Sequence, residues 1–146
     1  MEIVPLWGIS NTKLGDSRSE TRGILGNPDQ VKKATEQPET IGENWTYRLM
    51  RLELEFHAPN DFRLSKITSR HPNTLVLGFN PIGLNERYLL QKFPDLKTIE
   101  SNAKVQVFFD DILKISFTLV RGKTESVTVH LETGENTGHI IWPVRS

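Results

Sequence analysis

Two carboxylates and an imidazole alternate along one short segment of the chain. Glu53, Glu55 and His57 stand two residues apart, so in a β-strand all three project from one face. Side chains of these types are the usual groups of general acid–base catalysis. The same spacing is also that of a solvated strand face, so a small carboxylate-dependent enzyme is one alternative and a protein without catalysis is the other.

The remaining reactive residue types form no metal or nucleophile motif. His57, His71, His130 and His139 are far apart, with no H-x-x-x-H or H-E-x-x-H spacing, and the chain has no cysteine. We therefore expect neither a metal nor another cofactor. The aspartates at residues 110–111 would point to opposite faces of a strand, and we interpret them as a hairpin turn. The sequence predicts no catalytic residues.

The charges of the chain cancel, with 18 basic and 18 acidic residues. No overall field attracts it to nucleic acid or to an anionic membrane, so a charged partner must meet a local patch. No apolar run approaches the roughly 18 residues that span a bilayer, and the first ten residues lack a basic region followed by an apolar core. We expect a cytoplasmic protein that binds neither nucleic acid nor membrane.

Period-2 alternation predicts the centre of the fold. Leu52, Leu54 and Phe56 alternate with polar residues, which is the pattern of a strand buried on one face. An Ala-Pro-Asn-Asp turn follows at residues 58–61, so the next strand should run back antiparallel to it. Residues 1–10 are broken by proline and glycine, and we expect an extended lead-in there.

The second half of the chain repeats the pattern of the first. Residues 6–9, LWGI, fall over residues 76–79, VLGF. A helix predicted over residues 16–25 then falls over one predicted at 84–93. A polar loop follows in each half, over residues 30–42 in the first. The chain therefore resembles two copies of one design.

Two such units can share one sheet. A three-stranded sheet alone leaves two edges unpaired, and joining the units removes one edge from each. The fold class we expect is α+β: two helix-then-three-strand antiparallel meander repeats sharing one sheet, with the helices on one face. The strands of the second half are predicted at residues 105–110, 113–120 and 125–131. The whole chain is a single domain, 1–146, with pseudo-repeats at about 6–70 and 76–132 and a C-terminal tail at 133–146.

Alternation assigns the residues of this sheet to two faces. The helices should cover an apolar face consisting of Leu52, Leu54, Phe56, Val107, Phe109, Ile115, Phe117, Leu119, Val127 and Val129. The helix-free face should present Arg48, Glu53, Glu55, His57, Lys114, Ser116, Thr118, Thr128 and His130. A mixed-charge face of this kind suits a protein partner, although antiparallel sheets also leave such faces merely solvated.

The first half resembles the BamE/SmpA module. The motifs that carry this resemblance are L-G-x-P at residues 25–28, W-x-Y at 45–47, L-x-L-x-F at 52–56 and L-x-x-I at 64–67. Two such modules in tandem resemble the beta-lactamase inhibitor protein family, which implies an inhibitor that binds its target on the helix-free sheet face. The phrases LWGIS and LGFNPIG also look like small cytosolic immunity proteins of bacterial toxin systems, which implies binding without catalysis.

These resemblances and the bare face lead to one functional expectation. We expect a non-catalytic protein-binding inhibitor, a cytoplasmic immunity protein that neutralises a cognate bacterial toxin domain by direct binding. It would act as a monomer or weak dimer. The alternatives are the carboxylate-dependent enzyme named above and a scaffold module of a larger assembly.

Overall fold

The computed structural model describes residues 1–35, 41–133 and 140–144. This part of the chain is mostly β, with two α-helices, α1 (Arg18–Leu25) and α2 (Glu86–Lys92). In chain order the strands are β1 (Glu2–Val4), β2 (Gly8–Ile9), β3 (Thr12–Lys13), β4 (Gln30–Ala34), β5 (Gly42–Tyr47), β6 (Leu52–His57), β7 (Arg63–Ser69), β8 (Leu75–Val76), β9 (Lys97–Ser101), β10 (Val105–Asp110), β11 (Ile115–Val120), β12 (Lys123–His130), β13 (Glu132–Thr133) and β14 (Ile140–Ile141).

Eight strands form one large antiparallel sheet. Their order is β4-β5-β6-β7-β12-β11-β10-β9, so four consecutive strands follow each helix. The two groups of four join where β7 pairs with β12, from Ser69 opposite Val127 to Lys66 opposite His130. A second, smaller sheet has the order β3-β2-β1-β8, in which β1 and β8 run parallel.

The expected fold class, α+β with two helix-then-three-strand repeats, is wrong. Four strands rather than three follow each helix, because β4 and β9 lie in segments predicted as loops. Both are outer strands of the large sheet and every one of their residues is exposed. They therefore lack the alternation that burial of one face imposes. The predicted extended lead-in forms β1 and β2, which pair antiparallel as a hairpin of the small sheet. Residues 36–40 of the predicted loop lie outside the described residues.

A second layer covers one face of the large sheet. Ile3, Ile9 and Val76 of the small sheet and Leu89 of α2 are buried in one cluster with the large sheet. The buried apolar residues that the large sheet supplies are Trp45, Tyr47, Leu52, Leu54, Phe56, Leu64, Ile67, Phe108, Ile115, Phe117, Leu119, Val127 and Val129.

Helix α1 is stabilised by a cap at its N-terminus and packs on the large sheet through charged side chains. Ser17 accepts a hydrogen bond from the backbone N–H of Glu20, whose carboxylate accepts one from Ser17 N–H in return, a capping box. The Arg22 guanidinium lies 4.6 Å from the Trp45 ring. Burial would raise the pKa of Glu43, but the hydrogen bonds from Trp45 and Arg18 outweigh it and hold that pKa below its ordinary value.

Helix α2 is held mainly by aromatic packing instead. The Asn85 side chain caps it by accepting a hydrogen bond from Tyr88 N–H at 3.1 Å. Phe93 follows its last turn, and the Phe93 ring centroid lies 4.9 Å from that of Phe117 in the core. Both helices therefore pack on the core side of the large sheet, α1 through charged side chains and α2 through aromatic rings.

Residues 140–144 return to the start of α1. The Arg63 guanidinium lies 4.1 Å from the Trp142 ring and donates from Nε to the Gly15 carbonyl at 3.0 Å. Gly15 has a φ of 93°, and a Cβ there would meet the indole at 2.7 Å. This close approach requires glycine. Residues 134–139 and 145–146 of the predicted tail, including His139, lie outside the described residues.

Candidate protein-binding face

The polar face is the side of the large sheet opposite the core. Strand register decides which side chains share it. Glu53 lies opposite Thr68, Thr68 opposite Thr128, and Thr128 opposite Ser116. A row of polar residues therefore crosses β6, β7, β12 and β11 without interruption.

The structure places most of the predicted binding residues on this face. Those that project from its strands are Glu53, Glu55, His57, Thr118, Thr128 and His130. Lys114 lies in the turn before β11, where its carbonyl accepts a hydrogen bond from His130 N–H at 2.8 Å. Arg48 does not lie in a strand. It is exposed in the β5–β6 turn, and its backbone N–H donates to Asp29 Oδ2 at 2.7 Å.

Charged side chains in the first half of the face are paired with one another. Arg70 Nη1 lies 3.0 Å from Glu53 Oε1. Glu55 lies between two partners, Lys66 Nζ at 3.8 Å and His57 Nε2 at 3.3 Å. Each carboxylate of the predicted acid–base set therefore already contacts a basic group, the arrangement of a solvated ion-pair network.

Small hydroxyl groups link the strands in the middle of the face. Thr68 Oγ1 and Thr128 Oγ1 are 2.9 Å apart, and Ser116 Oγ and His130 Nε2 are 2.8 Å apart. Burial and then the charge of Lys66 lower the pKa of His130 to about 4, so the imidazole is neutral at pH 7. Within the described residues no carboxylate hydrogen-bonds to this imidazole, so the pair lacks the orienting acid of a hydrolase triad.

The register of β10 differs from the one expected. The segment VQVFFD permits two alternations, and Val107 and Phe109 were predicted in the core. In the structure Phe108 is the core residue, 2% exposed and opposite Phe117. Asp110 then falls on the core side, where its carboxylate is satisfied by Ile112 N–H and Leu113 N–H of the turn. Val107 and Phe109 are turned to the polar face.

A group of apolar side chains therefore interrupts the polar face. We name it the apolar patch, and its members are Val105, Val107, Phe109 and Val120. Val105 lies opposite Val120, and Val107 and Phe109 lie opposite Thr118 and Ser116. All four members are only half-buried. This patch was not predicted, because the alternation of Val107 and Phe109 favours their burial and a shift of one residue turns every side chain of a strand to the other face.

Polar groups border the apolar patch in defined positions. The His130 and Phe109 ring centroids are 5.5 Å apart with the rings nearly perpendicular. Lys114 Nζ lies 6.0 Å from the Phe109 ring centroid and 2.8 Å from Asp111 Oδ1. Phe109 thus sits between an imidazole and an ion pair, with Lys97 of β9 opposite it on the next strand, and it is half-buried.

Known proteins add little to this geometry. No family model matches the chain. No curated protein matches it either. It is similar to a solved extracellular protein containing an SCP domain from Bacillus anthracis, at 11% identity and a TM-score of 0.46, over 86% of this chain and 49% of that one. The chain spans about half the length of that protein, and a likeness of this size carries no argument. The resemblances to BamE/SmpA modules and to immunity proteins stay predictions.

Other kinds of site find little support in the part of the chain that the structure describes. No three histidine, aspartate or glutamate side chains converge there as metal ligands would. The cleft beside Glu55, His57 and Lys66 has a volume of about 280 Å³, is open to solvent and has no aromatic carbocycle or large aliphatic side chain in its lining, whereas small-molecule sites are lined mostly by such side chains. Neither α1 nor α2, at eight and seven residues, is long enough to cross a bilayer.

Proposed function

We propose that the chain is a non-catalytic protein-binding inhibitor, a cytoplasmic immunity protein that neutralises a cognate bacterial toxin domain by covering it. The toxin would dock on the polar face, centred on the apolar patch. Predicted residues that border the patch or lie near it are Lys114, Thr118, Thr128 and His130. Glu53, Glu55 and His57 lie farther along the same face and would supply contacts at the rim.

The apolar patch is the observation that carries this proposal. Protein interfaces combine an apolar centre with a polar rim, and aromatic residues are enriched among those that dominate binding energy. Phe109 has this setting, since it is half-buried beside His130 and Lys114. Covering its exposed surface would contribute about 25 cal/mol per Å² removed from water.

The polar neighbours of the patch support the same use. Lys114 is held by Asp111, and His130 is held by Ser116. Side chains that are already fixed lose little conformational entropy when a partner binds. The rim of the proposed interface is therefore partly organised before the partner arrives.

The test uses the protein encoded by the gene next to this one. Co-expression with the wild-type chain should relieve its toxicity, and the purified pair should form a stable complex. Phe109→Asp should abolish the relief and weaken the Kd by at least about 30-fold, because removal of an interface anchor costs about 2 kcal/mol or more.

Leu77→Asp is the matched control. Leu77 is 63% exposed in the turn after β8, away from the polar face, so this variant should bind like the wild type. Circular dichroism would establish that both variants are folded. Equal binding by the two variants would reject the apolar patch as the docking site. A neighbouring protein that is neither toxic nor bound would reject the immunity function.

A further inference from the structure

One end of the large sheet collects exposed cations from several loops. β7 stops and β12 begins at this end, and antiparallel pairing brings the β5–β6, β9–β10 and β11–β12 turns to the same place. Backbone hydrogen bonds connect the loops, from Arg70 N–H to the Arg51 carbonyl at 2.9 Å and from Arg121 N–H to the Lys104 carbonyl at 2.8 Å. We name this surface the basic end, and its members are Arg48, Arg51, Lys104, Arg121 and Lys123, all exposed.

The basic end is not neutralised by its surroundings. None of its five side chains forms an ion pair with a carboxylate of the described residues. Arg70 beside them differs, since it contacts both Glu53 and Glu125. The chain is neutral overall, so this positive charge is balanced elsewhere. Exposed loops at the opposite end of the sheet hold Asp61, Asp95 and Asp111.

An apolar side chain is exposed in the part of the basic end that the β5–β6 turn forms. Leu49 is 95% exposed in the β5–β6 turn, between Arg48 and Arg51. A fully exposed leucine gains about 1.5 kcal/mol or more when a partner buries it. An exposed leucine with arginines near it in the same turn complements an acidic surface that contains an apolar pocket.

Nucleic acid fits this surface less well. Proteins that bind single strands stack bases on aromatic side chains, and the turns of the basic end contain no Phe, Tyr or Trp. Glu53 and Glu125, adjacent to Arg70, would also repel a phosphate backbone. A protein partner tolerates such a mixture of charges, because its own side chains can pair with both signs.

We propose that the basic end binds an acidic protein surface and inserts Leu49 into an apolar pocket on it. Local positive charge would also accelerate the encounter with such a partner. Val105 and Val120 of the apolar patch adjoin Lys104 and Arg121 in sequence, so a single partner can cover both surfaces. The inference does not depend on the patch, since the basic end can bind while the patch binds nothing.

The first experiment measures binding of the full chain to fluorescent poly-L-glutamate. Wild type should bind, and its Kd should rise at least about tenfold between 50 and 200 mM NaCl, because several charge contacts are screened. The triple variant Arg51→Glu, Lys104→Glu, Arg121→Glu should weaken binding at least about tenfold. The control triple variant Lys32→Glu, Lys33→Glu, Lys97→Glu makes the same charge change at exposed sites elsewhere and should bind within about twofold of wild type.

The second experiment tests Leu49. A random glutamate–leucine copolymer should bind wild type several-fold more tightly than poly-L-glutamate does, and Leu49→Ser should remove that preference. Equal loss in both triple variants, or no preference for the copolymer, would overturn the proposal. Tighter binding to duplex DNA or to phosphatidylglycerol vesicles, lost in the same triple variant, would also overturn it. All these affinities are measured without the neighbouring protein, so their outcome is separate from that of the test of the proposed function.

Discussion

The two halves of the polar face share one alternation but expose different chemistry. In the first half, Glu53 and Glu55 contact Arg70 and Lys66, so its charges are already paired within the face. In the second half, β10 and β11 present the apolar patch, whose four members are apolar and only half-buried. A solvent-facing sheet surface is therefore not a binding site over its whole area. Apolar side chains that interrupt its polar residues are the better guide to where a partner binds.

The adjacent phenylalanines of β10 allow the sharpest test of this comparison. Phe108→Ala should lower the free energy of unfolding by about 3 to 5 kcal/mol, because Phe108 is buried in the core. Phe109→Ala should lower it by only about 1 kcal/mol, mostly through loss of the contact with His130, yet it should lose partner binding. Urea unfolding measures both values. Equal losses of stability in the two variants would show that Phe109 is also a core residue and would contradict the assignment of the apolar patch.

Acid should weaken the second half through His130. Its pKa is about 4 in the folded chain, below the ordinary 6.5, so the unfolded chain binds the proton more readily. This contribution to stability is complete above about pH 6.5 and falls by about 3 kcal/mol by pH 4. Ser116, Phe109 and Lys66 face the imidazole, and none is an acid that could stabilise the charged form.

The comparison uses His130→Gln as the reference, because the carboxylates of the chain also titrate in this range. The difference in unfolding free energy between wild type and His130→Gln should shrink by about 3 kcal/mol from pH 7 to pH 4. A constant difference across this range would contradict the assigned pKa. Thermal unfolding at several pH values gives the measurement.

The ion pairs in the first half of the polar face should contribute less to stability than the contacts of Phe108 and His130. Arg70→Gln removes its contacts with Glu53 and Glu125, and because all three side chains are partly exposed the loss should be about 1 kcal/mol. The loss should disappear in 0.5 M NaCl, and binding at the apolar patch should be unchanged. A loss that persists in salt would mean that Arg70 acts through packing.

The smallest expected effect is a gain. Arg121 and Gly122 form a two-residue turn between β11 and β12, with φ values of 52° and 80°. Asparagine tolerates this left-handed conformation better than arginine, so Arg121→Asn should stabilise the chain by about 0.5 kcal/mol. It should also weaken binding to poly-L-glutamate. Lys123→Asn, on a strand, should weaken binding without stabilising, and a gain of stability there would refute the backbone explanation.

Sequence reasoning found the elements that bury a face and missed those that do not. Leu52, Leu54 and Phe56 alternate as β6 requires, and all three are buried. Strands β4 and β9 left no signal, because exposure on both faces imposes no period. In β10 alternation favoured the wrong register, because Val107 and Phe109 are apolar whereas Asp110 is charged. In the structure Phe108 lies opposite Phe117 in the core, and the turn satisfies the Asp110 carboxylate on that side.

The candidate site, like the fold, could be predicted from the sequence only in part. Polar residues of strands whose core face was clear, such as Glu53 and His130, were assigned to the correct side. Arg48 lies in the β5–β6 turn, and strand alternation does not assign a turn residue to either face. The basic end was not visible at all, because its five cations are scattered from residue 48 to residue 123 and only the antiparallel topology gathers them.

The junction between β7 and β12 has a consequence for the time course of folding. Every other pairing in the large sheet joins strands that follow one another along the chain, whereas Thr68 and Thr128 are 60 residues apart. Closing so long a loop costs more entropy than forming a hairpin, so the junction should form after the rate-limiting barrier. Thr128→Val should then accelerate unfolding in stopped-flow experiments and leave the refolding rate unchanged. Slower refolding would instead show that the two groups of four strands pair before the rate-limiting barrier.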